Sequence, residues 1–416
     1  MTHVAIDARV PRGISGGVAQ VVMGLAQGFR EASIEDLERT WIVDPDSNKW
    51  LDPLIPERDG RVVVSSFIDR AGAKAAAVVP NMVSSLRPYI ERLRSVAVAT
   101  SSGASALDRQ LHRRGVQVVH LPFQEGISTD LPTIYHPHDL QHVYLPRNFT
   151  RAQIERRETV WRDKAEKAYA VSVGTKAVAN DITHYWGIPD NRVFAVPLAP
   201  VSPLGRVRNL EAAGSSNGSF ASPMVLYPAG FWPHKNHETL VRALGRLAER
   251  GVPVRLKLPG AAVGNFSKVR DLVVEIGLDP RDVLPGYVSD DELAVLFDSA
   301  TLVAVPSLFE SASFPVWEAF MRSKPVVVAR TTSLPQQVGE GGIVVDPLDD
   351  IAFADAIGKL IADPDLRSTL GERGAVWASQ FSWRRTVLSS CALYRRAAGH
   401  EPREREELSL VHGPFI

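Results

Sequence analysis

The sequence predicts an α/β protein with two domains, each built around a parallel β-sheet. The chain has 416 residues, which is more than one hydrophobic core usually serves. Short apolar runs alternate with amphipathic stretches, as in the βα units that form parallel sheets. A polar, turn-rich segment at 203–222 separates the runs into two groups and predicts an interdomain linker. We therefore expect a first domain at 1–202, a second at 223–380, and a terminal helix and tail at 381–416.

The expected strands are short runs rich in valine, isoleucine and leucine. In the first half they lie at 4–6, 61–65, 117–121, 133–135, 170–173 and 193–196, and in the second half at 224–227, 255–258, 283–284, 302–305, 326–329 and 342–345. Amphipathic helices are expected at 18–29, 151–169, 236–250 and from 383 to about 398. Gly251 provides the stop signal of the helix at 236–250.

Composition excludes several classes of protein. Hydrophobic content of 45% and charged content of 23% are ordinary for a globular domain, and the formal net charge of zero gives no indication of a nucleic-acid or anionic-membrane partner. One cysteine, Cys391, excludes an internal disulfide framework and a cysteine-rich zinc site. The opening residues lack the apolar segment of a signal peptide, and no apolar run approaches the length of a membrane span. We therefore expect a cytoplasmic protein.

The most informative motif is Pro306-Ser-Leu-Phe-Glu310-Ser-Ala-Ser-Phe-Pro315-Val-Trp-Glu318, between an expected strand and an expected helix. In parallel sheets, ligands bind where the carboxyl ends of strands lead into helices. Exposed backbone N–H groups favour an anion there, and neighbouring carboxylates can hold sugar hydroxyls. The apolar residues around Glu310 and Glu318 indicate a partly buried crevice, where an unpaired charge is costly. The motif therefore favours a nucleotide-sugar over a simple phosphate ester.

A second motif, Tyr227-Pro-Ala-Gly-Phe-Trp-Pro-His-Lys-Asn236, also connects a strand to a helix. The first N–H groups of a helix have no partner within the helix and can bind an anion. A lysine at this end opposes the helix dipole, so structure alone gives little reason for Lys235. We therefore expect Lys235 to supply a positive charge to a diphosphate.

The cluster His136-Pro-His138-Asp139-x-x-His142 contains residue types that bind zinc or iron. A hydrolase with a metal-activated water is therefore an alternative. No second group of matching ligands follows downstream, so the preferred interpretation is a histidine in a sugar site. Histidines with structural partners rank second, and a metal site ranks third.

The segment Gly13-Ile-Ser15-Gly16-Gly17 matches the Gly-x-Ser-x-Gly pattern of a hydrolase nucleophile elbow. An elbow requires earlier strands of its sheet, whereas this segment follows only the first strand. Two glycines also allow the backbone to approach a ligand closely, which is the better interpretation. The chain has no Gly-x-Gly-x-x-Gly after a strand and no Walker A sequence, which counts against a dehydrogenase or a P-loop enzyme.

Together these motifs resemble the retaining family-4 (group 1) glycosyltransferases of GT-B fold. The resemblance covers roughly residues 4 to 397. It is carried by the Glu310-x7-Glu318 spacing, the Tyr227–Asn236 loop, Pro285-Gly-Tyr-Val-Ser-Asp-Asp-Glu-Leu293 as a base-side loop, His138-Asp-Leu-Gln-His142 as an acceptor-domain loop, and Ile6-Asp-Ala-Arg9 with Gly16-Gly17. It implies two Rossmann-like domains facing across a cleft, with a C-terminal helix that crosses back to the first domain.

The resemblance also implies an activity. A hexose-type sugar would pass, with retention of configuration, from a nucleotide-diphosphate donor to a hydroxyl of a glycan, lipid-linked or small-molecule acceptor. No essential metal and no cofactor beyond the donor is expected, and no nucleic-acid partner. Family members often work at the inner face of the membrane. A non-catalytic nucleotide-sugar-binding protein, a phosphorylase and a nucleotide-sugar epimerase remain alternatives.

By resemblance, the catalytic residues are His138, Lys235 and Glu310. The donor site comprises Gly16, Gly17, Gly230, Phe231, Lys235, Gly286, Tyr287, Val288, Glu310, Ser311, Ala312, Ser313, Phe314 and Glu318. Glu310 would approach the transferred sugar and Glu318 the ribose. Many relatives have an arginine shortly after the glycine at 230, where this chain has Phe231 and Trp232. We expect one of these rings to face the ligand and the other to pack in the core.

Overall fold

The computed structural model describes residues 1–10, 17–64, 106–200 and 222–411. The expected linker at 203–222 lies outside this part of the chain except for Ser222, as does the Gly13–Gly16 stretch of the glycine-rich segment. Within the described residues, no helix is both long enough and apolar enough to cross a membrane.

The first sheet has seven parallel strands in the order β3-β2-β1-β4-β5-β6-β7. Its strands are β1 (Thr2–Asp7), β2 (Leu37–Val43), β3 (Gly60–Val63), β4 (Val118–Leu121), β5 (Thr133–Tyr135), β6 (Ala170–Val173) and β7 (Val193–Ala195). The chain moves outward from β1 on one side and then returns to add β4 on the other. This reversal creates a crevice beyond the carboxyl ends of β1 and β4, which is where Rossmann-like sheets bind ligands.

The second sheet has five parallel strands in the order β12-β11-β10-β8-β9. Its strands are β8 (Met224–Leu226), β9 (Arg255–Lys257), β10 (Leu302–Val305), β11 (Val326–Ala329) and β12 (Gly342–Val345). The order reverses between β8 and β10. The loops that follow these two strands are the Tyr227–Asn236 loop and the loop with Glu310.

Helices connect the strands in both halves. The main ones are Gly17–Ala32, Pro45–Leu51, Ala106–Arg113, Gln141–Tyr144, Arg151–Arg156, Arg162–Lys167, Lys176–Trp186, His237–Glu249, Phe266–Glu275, Pro280–Val283, Asp290–Ser299, Phe314–Phe320, Leu334–Val338, Asp350–Ala362, Pro364–Ala378, Trp383–Ala397 and Glu404–Val411. The helix expected at 151–169 contains a π-helical segment, Arg157–Trp161, where the backbone turns more widely.

The last long helix, Trp383–Ala397, packs on the first domain. Its Trp383 ring lies where a side chain on Gly24 would stand, because an added Cβ there would be 1.9 Å from the ring. Trp383 Nε1 donates to the Pro200 carbonyl at 2.9 Å, and Thr386 Oγ1 donates to the Pro197 carbonyl at 2.6 Å. Near the end of the helix, Tyr394 hydrogen-bonds buried His120 on β4. The expected GT-B architecture with a helix crossing back to the first domain is thus confirmed.

Eleven of the expected strands overlap strands of the structure, but the strand expected at 283–284 was wrong. Pro280–Val283 is a helical turn, since the Asp279 carboxylate caps its start and Pro280 takes the first position. One strand, β2, was missed because Glu38 and Arg39 interrupt its apolar pattern. Arg39 is buried in β2, and its guanidinium is held by Asp59 at 2.6 Å, so a charged residue occupies an interior strand.

Candidate active site

The two loops at the reversal of the second sheet bring a lysine and a glutamate together. Lys235 Nζ lies 2.6 Å from Glu310 Oε1, although the residues are 75 positions apart in sequence. Lys235 is 23% exposed and Glu310 is 7% exposed. An ammonium group has three N–H donors, so two remain after this contact. The pair therefore retains donors for an anionic ligand at the sheet edge where the fold favours one.

A chain of hydroxyl groups fixes the Glu310 carboxylate. The Ser307 hydroxyl donates to Glu310 Oε1 at 2.6 Å, so its single proton is committed. The Tyr227 hydroxyl lies 2.8 Å from Ser307 Oγ and donates to the Lys235 carbonyl at 3.2 Å. The Glu310 amide is also held, because it donates to Thr332 Oγ1 at 3.0 Å. Among the described residues, Glu310 Oε2 has no hydrogen-bond partner, so it can accept a hydrogen bond from a ligand hydroxyl.

Asn236 fixes the position of Lys235. Its backbone has a φ of 53°, in the left-handed region that asparagine tolerates better than most residues. Its side-chain amide donates to the Pro306 carbonyl at 2.9 Å and to the Pro347 carbonyl at 2.7 Å. Asn236 thereby connects the Tyr227–Asn236 loop to the loop after β10. Asn236 precedes the helix His237–Glu249, and its side chain makes no capping hydrogen bond to that helix.

Gln337 holds the small-residue loop after Glu310. Its Nε2 donates to the Ser313 carbonyl at 2.7 Å, and its Oε1 accepts from the Ser313 amide at 2.8 Å. The Ser313 N–H is therefore not available to a phosphate, although Ser313 was expected in the donor site. Ser311 and Ala312 are partly buried beside this clamp. Sequence reasoning missed Gln337 because nothing near it marks a ligand site.

Of the two aromatic residues after Gly230, Phe231 is the one that packs in the core, although it had been assigned to the donor site. Phe231 is buried, stacked on His237 at a centroid distance of 4.3 Å and in edge contact with Phe266 at 5.0 Å. Its side chain cannot reach a ligand, which corrects its inclusion in the donor site. Trp232 is half exposed, with its ring over Gly230. Of the two rings, Trp232 is therefore the one that a ligand can reach.

Glu318 lies in the helix Phe314–Phe320 and is partly buried. Burial raises the pKa of its carboxyl to about 7, with Arg322 opposing the shift and Asp290 adding to it. Among the described residues, no group donates a hydrogen bond to this carboxylate. A partly buried acid without a partner is suited to a ligand that brings hydroxyl donors.

The loop Pro285–Leu293 lies next to the loop Tyr227–Asn236. Gly286 has a φ of 81°, a conformation that requires glycine, and its carbonyl accepts from the Gly260 amide at 2.8 Å. Tyr287 is exposed and Val288 is partly buried. An added Cβ on Gly260 would lie 2.0 Å from the Ala229 carbonyl oxygen. The loops after β8 and β9 and the loop with Gly286 are therefore in contact.

The first domain reaches the donor side through Gly17. An added Cβ on Gly17 would lie 3.3 Å from the Phe314 ring, so the end of the glycine-rich segment faces the start of the helix Phe314–Phe320. Gly16, the other glycine expected in the donor site, lies outside the described residues. Gly17 of the first domain and Phe314 of the second are therefore in close proximity.

His138 lies in the first domain with an unusual backbone, at φ 67°. Its Nε2 is 3.0 Å from the Pro122 carbonyl, which can only accept, so Nε2 carries the proton. Burial lowers the pKa of His138, while Asp139 acts in the opposite direction, and the ring is neutral at neutral pH. Nδ1 is then an acceptor, and no donor to it occurs in the described part of the chain. His138 can accept a hydrogen bond from a hydroxyl.

The metal interpretation of the histidine cluster is not supported. His142 Nε2 pairs with Glu158 at 2.5 Å, and Asp139 accepts from the Gln141 amide and from Arg157. Asp108, His112 and Asp130 form the group of metal-type ligands found among the described residues, and it includes none of the cluster. The rings of His136 and His138 are in contact, with centroids 4.5 Å apart, but among the described residues neither belongs to a group of three possible metal ligands. The metal-hydrolase alternative is therefore not favoured.

Comparisons with known proteins agree with this geometry. The family model described as glycosyl transferases group 1 matches residues 216–377, which include Lys235, Glu310 and Glu318. D-inositol 3-phosphate glycosyltransferase of Corynebacterium efficiens is 27% identical over 287 residues, covering 65% of this chain and 67% of that protein. MMP alpha-(1->4)-mannosyltransferase of Mycolicibacterium hassiacum is 31% identical over 233 residues, covering 54% of this chain and 53% of that protein. The chain thus spans about half to two thirds of these relatives.

Solved structures share the whole fold. Sucrose-phosphate synthase of Thermosynechococcus elongatus superposes with a TM-score of 0.65 at 21% identity, covering 95% of this chain and 99% of that chain. HepE of Anabaena, in complex with UDP and glucose, superposes with a TM-score of 0.64 at 16% identity, covering 94% of this chain and 99% of that chain. At these identities the likeness shows the fold alone. The chain is therefore similar to the group 1 glycosyltransferases over residues 216–377, and it shares the fold of these solved structures.

Proposed function

We propose that the protein transfers a hexose-type sugar, with retention, from a nucleotide-diphosphate donor to a hydroxyl group of an acceptor. The observation that carries this proposal is the Lys235–Glu310 pair at the reversal of the second sheet. The Lys235 ammonium group has N–H donors to spare, and the Glu310 carboxylate has one oxygen without a partner among the described residues. These two groups suit a ligand in which a diphosphate is joined to a sugar. The diphosphate takes the cation, and a sugar hydroxyl donates to the carboxylate.

The rest of the donor site extends from this pair. Glu318 accepts from the ribose hydroxyls, because its partly buried carboxyl lacks a donor among the described residues and its pKa is raised. Gly286 and Tyr287 lie on the side of the nucleobase, next to Gly260. Trp232 replaces the second cation that many relatives have, so Lys235 carries a larger share of the diphosphate charge.

In the transfer step, the bond between the anomeric carbon and the β-phosphate oxygen breaks, and a bond from that carbon to the acceptor oxygen forms on the same face. The acceptor proton passes to the departing phosphate oxygen. Lys235 stabilises the negative charge that develops on the leaving group, an effect that is among the largest in catalysis. Because Lys235 supplies this charge, the reaction runs without an essential metal.

His138 serves the reaction from the first domain. Its neutral ring offers Nδ1 as an acceptor, since Nε2 is committed to Pro122. We assign it to a hydroxyl of the transferred sugar or of the acceptor, which it orients for attack. The acceptor is a glycan, a lipid-linked sugar or a small molecule.

Release of nucleoside diphosphate tests this function. UDP-glucose is the first donor to try, because UDP and glucose are named for HepE, and D-inositol 3-phosphate is the first acceptor, because several relatives are named for it. We expect release of the diphosphate to depend on an acceptor and the product to keep the donor's anomeric configuration by NMR. Inverted product would contradict the mechanism, and failure of every nucleotide-sugar to react or bind would contradict the function.

A further inference from the structure

An aromatic contact crosses the cleft beside the Glu310 loop. Tyr144, at the end of the helix Gln141–Tyr144 in the first domain, lies with its ring 5.4 Å from the ring of Phe309, at an interplanar angle of 50°. Phe309 is the residue before Glu310 and is buried in the second domain. The contact therefore joins the first domain directly to the loop that carries the sugar-binding carboxylate.

The first domain holds the Tyr144 ring in place from two sides. The Tyr144 hydroxyl donates to Asp181 Oδ1 at 2.5 Å, and the ring edge meets Tyr185 at a centroid distance of 6.1 Å. Asp181 and Tyr185 belong to one helix, Lys176–Trp186, and are four positions apart, so they lie on the same face of it. Tyr144 is thus positioned before it meets Phe309.

The contact is suited to a reversible role. Tyr144 remains 44% exposed, so the contact covers only part of its ring. Pairs of aromatic rings contribute a modest preference, which corresponds to roughly a two- to tenfold shift in an equilibrium. Such a shift is enough to bias two domains toward closure and small enough to let them open for product release.

We propose that Tyr144 is a positioning residue that closes the cleft on Phe309 and thereby fixes Glu310 against the donor sugar. This inference rests on the proposed function for its catalytic consequence, while the closure itself does not depend on it. Tyr144 touches neither donor nor acceptor in this account. It acts through the loop of the second domain.

Three variants test the role of the ring. Tyr144→Ala removes the ring contact, Tyr144→Phe keeps the ring and removes only the hydroxyl, and Phe309→Leu removes the partner ring while retaining an apolar side chain. The control is Tyr169→Ala. Tyr169 is 45% exposed in the same domain, but it directly precedes β6 and so lies at the amino ends of the strands, whereas Tyr144 lies beyond the carboxyl ends. Thermal unfolding confirms that each variant is folded.

Two measurements decide the proposal. Small-angle X-ray scattering without ligand should give a larger radius of gyration for Tyr144→Ala than for the wild type, Tyr144→Phe or Tyr169→Ala. At saturating donor, kcat of Tyr144→Ala should fall up to about tenfold while the Kd for nucleoside diphosphate stays within about twofold. In the Phe309→Leu background, Tyr144→Ala should add no further loss, since both changes remove one contact.

The proposal would be overturned if Tyr144→Ala had the same radius of gyration as the wild type. It would also be overturned if kcat fell equally in Tyr144→Phe and Tyr144→Ala. Additive losses in the double variant would overturn it as well. If the wild type transfers no sugar, the proposed function fails, and the scattering comparison alone decides whether Tyr144 closes the cleft.

Discussion

The donor side and the acceptor side of the cleft are organised differently. On the donor side, Lys235 and Glu310 are held by residues of one domain, including Ser307, Asn236 and Thr332. On the acceptor side, His138 has one polar partner, the Pro122 carbonyl. Two polar residues close to it in sequence have partners of their own, since Asp139 pairs with Arg157 and His142 with Glu158. The proposed donor residues Lys235 and Glu310 are therefore held by several polar contacts within their own domain, whereas the proposed acceptor-side residue His138 is held by one.

The largest effect that this comparison predicts is on the donor side. Lys235→Ala should lower kcat by roughly a hundredfold or more, because it removes the side-chain cation from the leaving diphosphate, comparable to the loss of one oxyanion donor. Steady-state kinetics measure it. The control is Lys268→Ala, an exposed lysine of the same domain that pairs with Glu238. Turnover of Lys235→Ala equal to that of the control would remove Lys235 from the mechanism.

Glu318→Gln should weaken nucleotide binding by roughly ten- to a hundredfold, since hydrogen bonds to a charged group contribute about 1.5–3 kcal/mol. The Kd for the free diphosphate, measured by calorimetry, should change as much as that for the whole donor. An unaltered Kd would contradict the ribose role and weaken the account of a preformed donor site.

Glu318 also predicts how binding depends on pH. Its pKa is about 7 in the free protein, and hydroxyl donors favour the ionised form, so the Kd should fall as pH rises through 7. The folded-state pKa lies above the unfolded value of 4.5, so the folded state holds the proton more tightly. The contribution of Glu318 to the free energy of unfolding therefore declines between pH 4.5 and about 7. The pH dependence of the Kd and that of the free energy of unfolding should both be weaker in Glu318→Gln than in the wild type. Equal pH dependences in the variant and the wild type would contradict the raised pKa of Glu318.

On the acceptor side, His138→Ala should lower kcat by about tenfold through loss of one hydrogen bond to a hydroxyl, and leave the Kd for nucleoside diphosphate unchanged. This separation of kcat from Kd distinguishes the two sides of the cleft. His112→Ala, which removes an exposed histidine of the same domain, is the control. A matching loss of nucleotide affinity in His138→Ala would show that the two sites are not separate.

The last predicted effect is on stability rather than on turnover, and it concerns the loop beside Glu310. Gln337→Ala removes both hydrogen bonds to the buried Ser313 peptide and should lower the free energy of unfolding by about 1–3 kcal/mol. Urea unfolding measures it, with exposed Gln380→Ala as the control. No difference between the two variants would indicate that the loop is not held by Gln337.

The sequence predicted the fold well because the patterns that define it are local. Apolar runs give the strands, and the strand β2 was missed only because buried Arg39 finds its partner Asp59 twenty positions away. The site was predicted as separate motifs. No local pattern shows that Lys235 and Glu310 pair across 75 positions, that Phe231 packs on His237, or that Gln337 clamps Ser313. These features depend on how strands are ordered in the sheet, which a single sequence does not display.

We propose that Lys235 and Glu310 form a preformed nucleotide-sugar site in the second domain. Its most direct test is thermal unfolding of the wild type and of Lys235→Ala with UDP, GDP, ADP, CMP and dTDP, with and without a divalent cation. A diphosphate at a hundred times its Kd stabilises the fold by about 2.7 kcal/mol. We predict a clear shift with one diphosphate, indifferent to metal and reduced in Lys235→Ala. No shift with any nucleotide, or a shift only with zinc or manganese, would contradict the account.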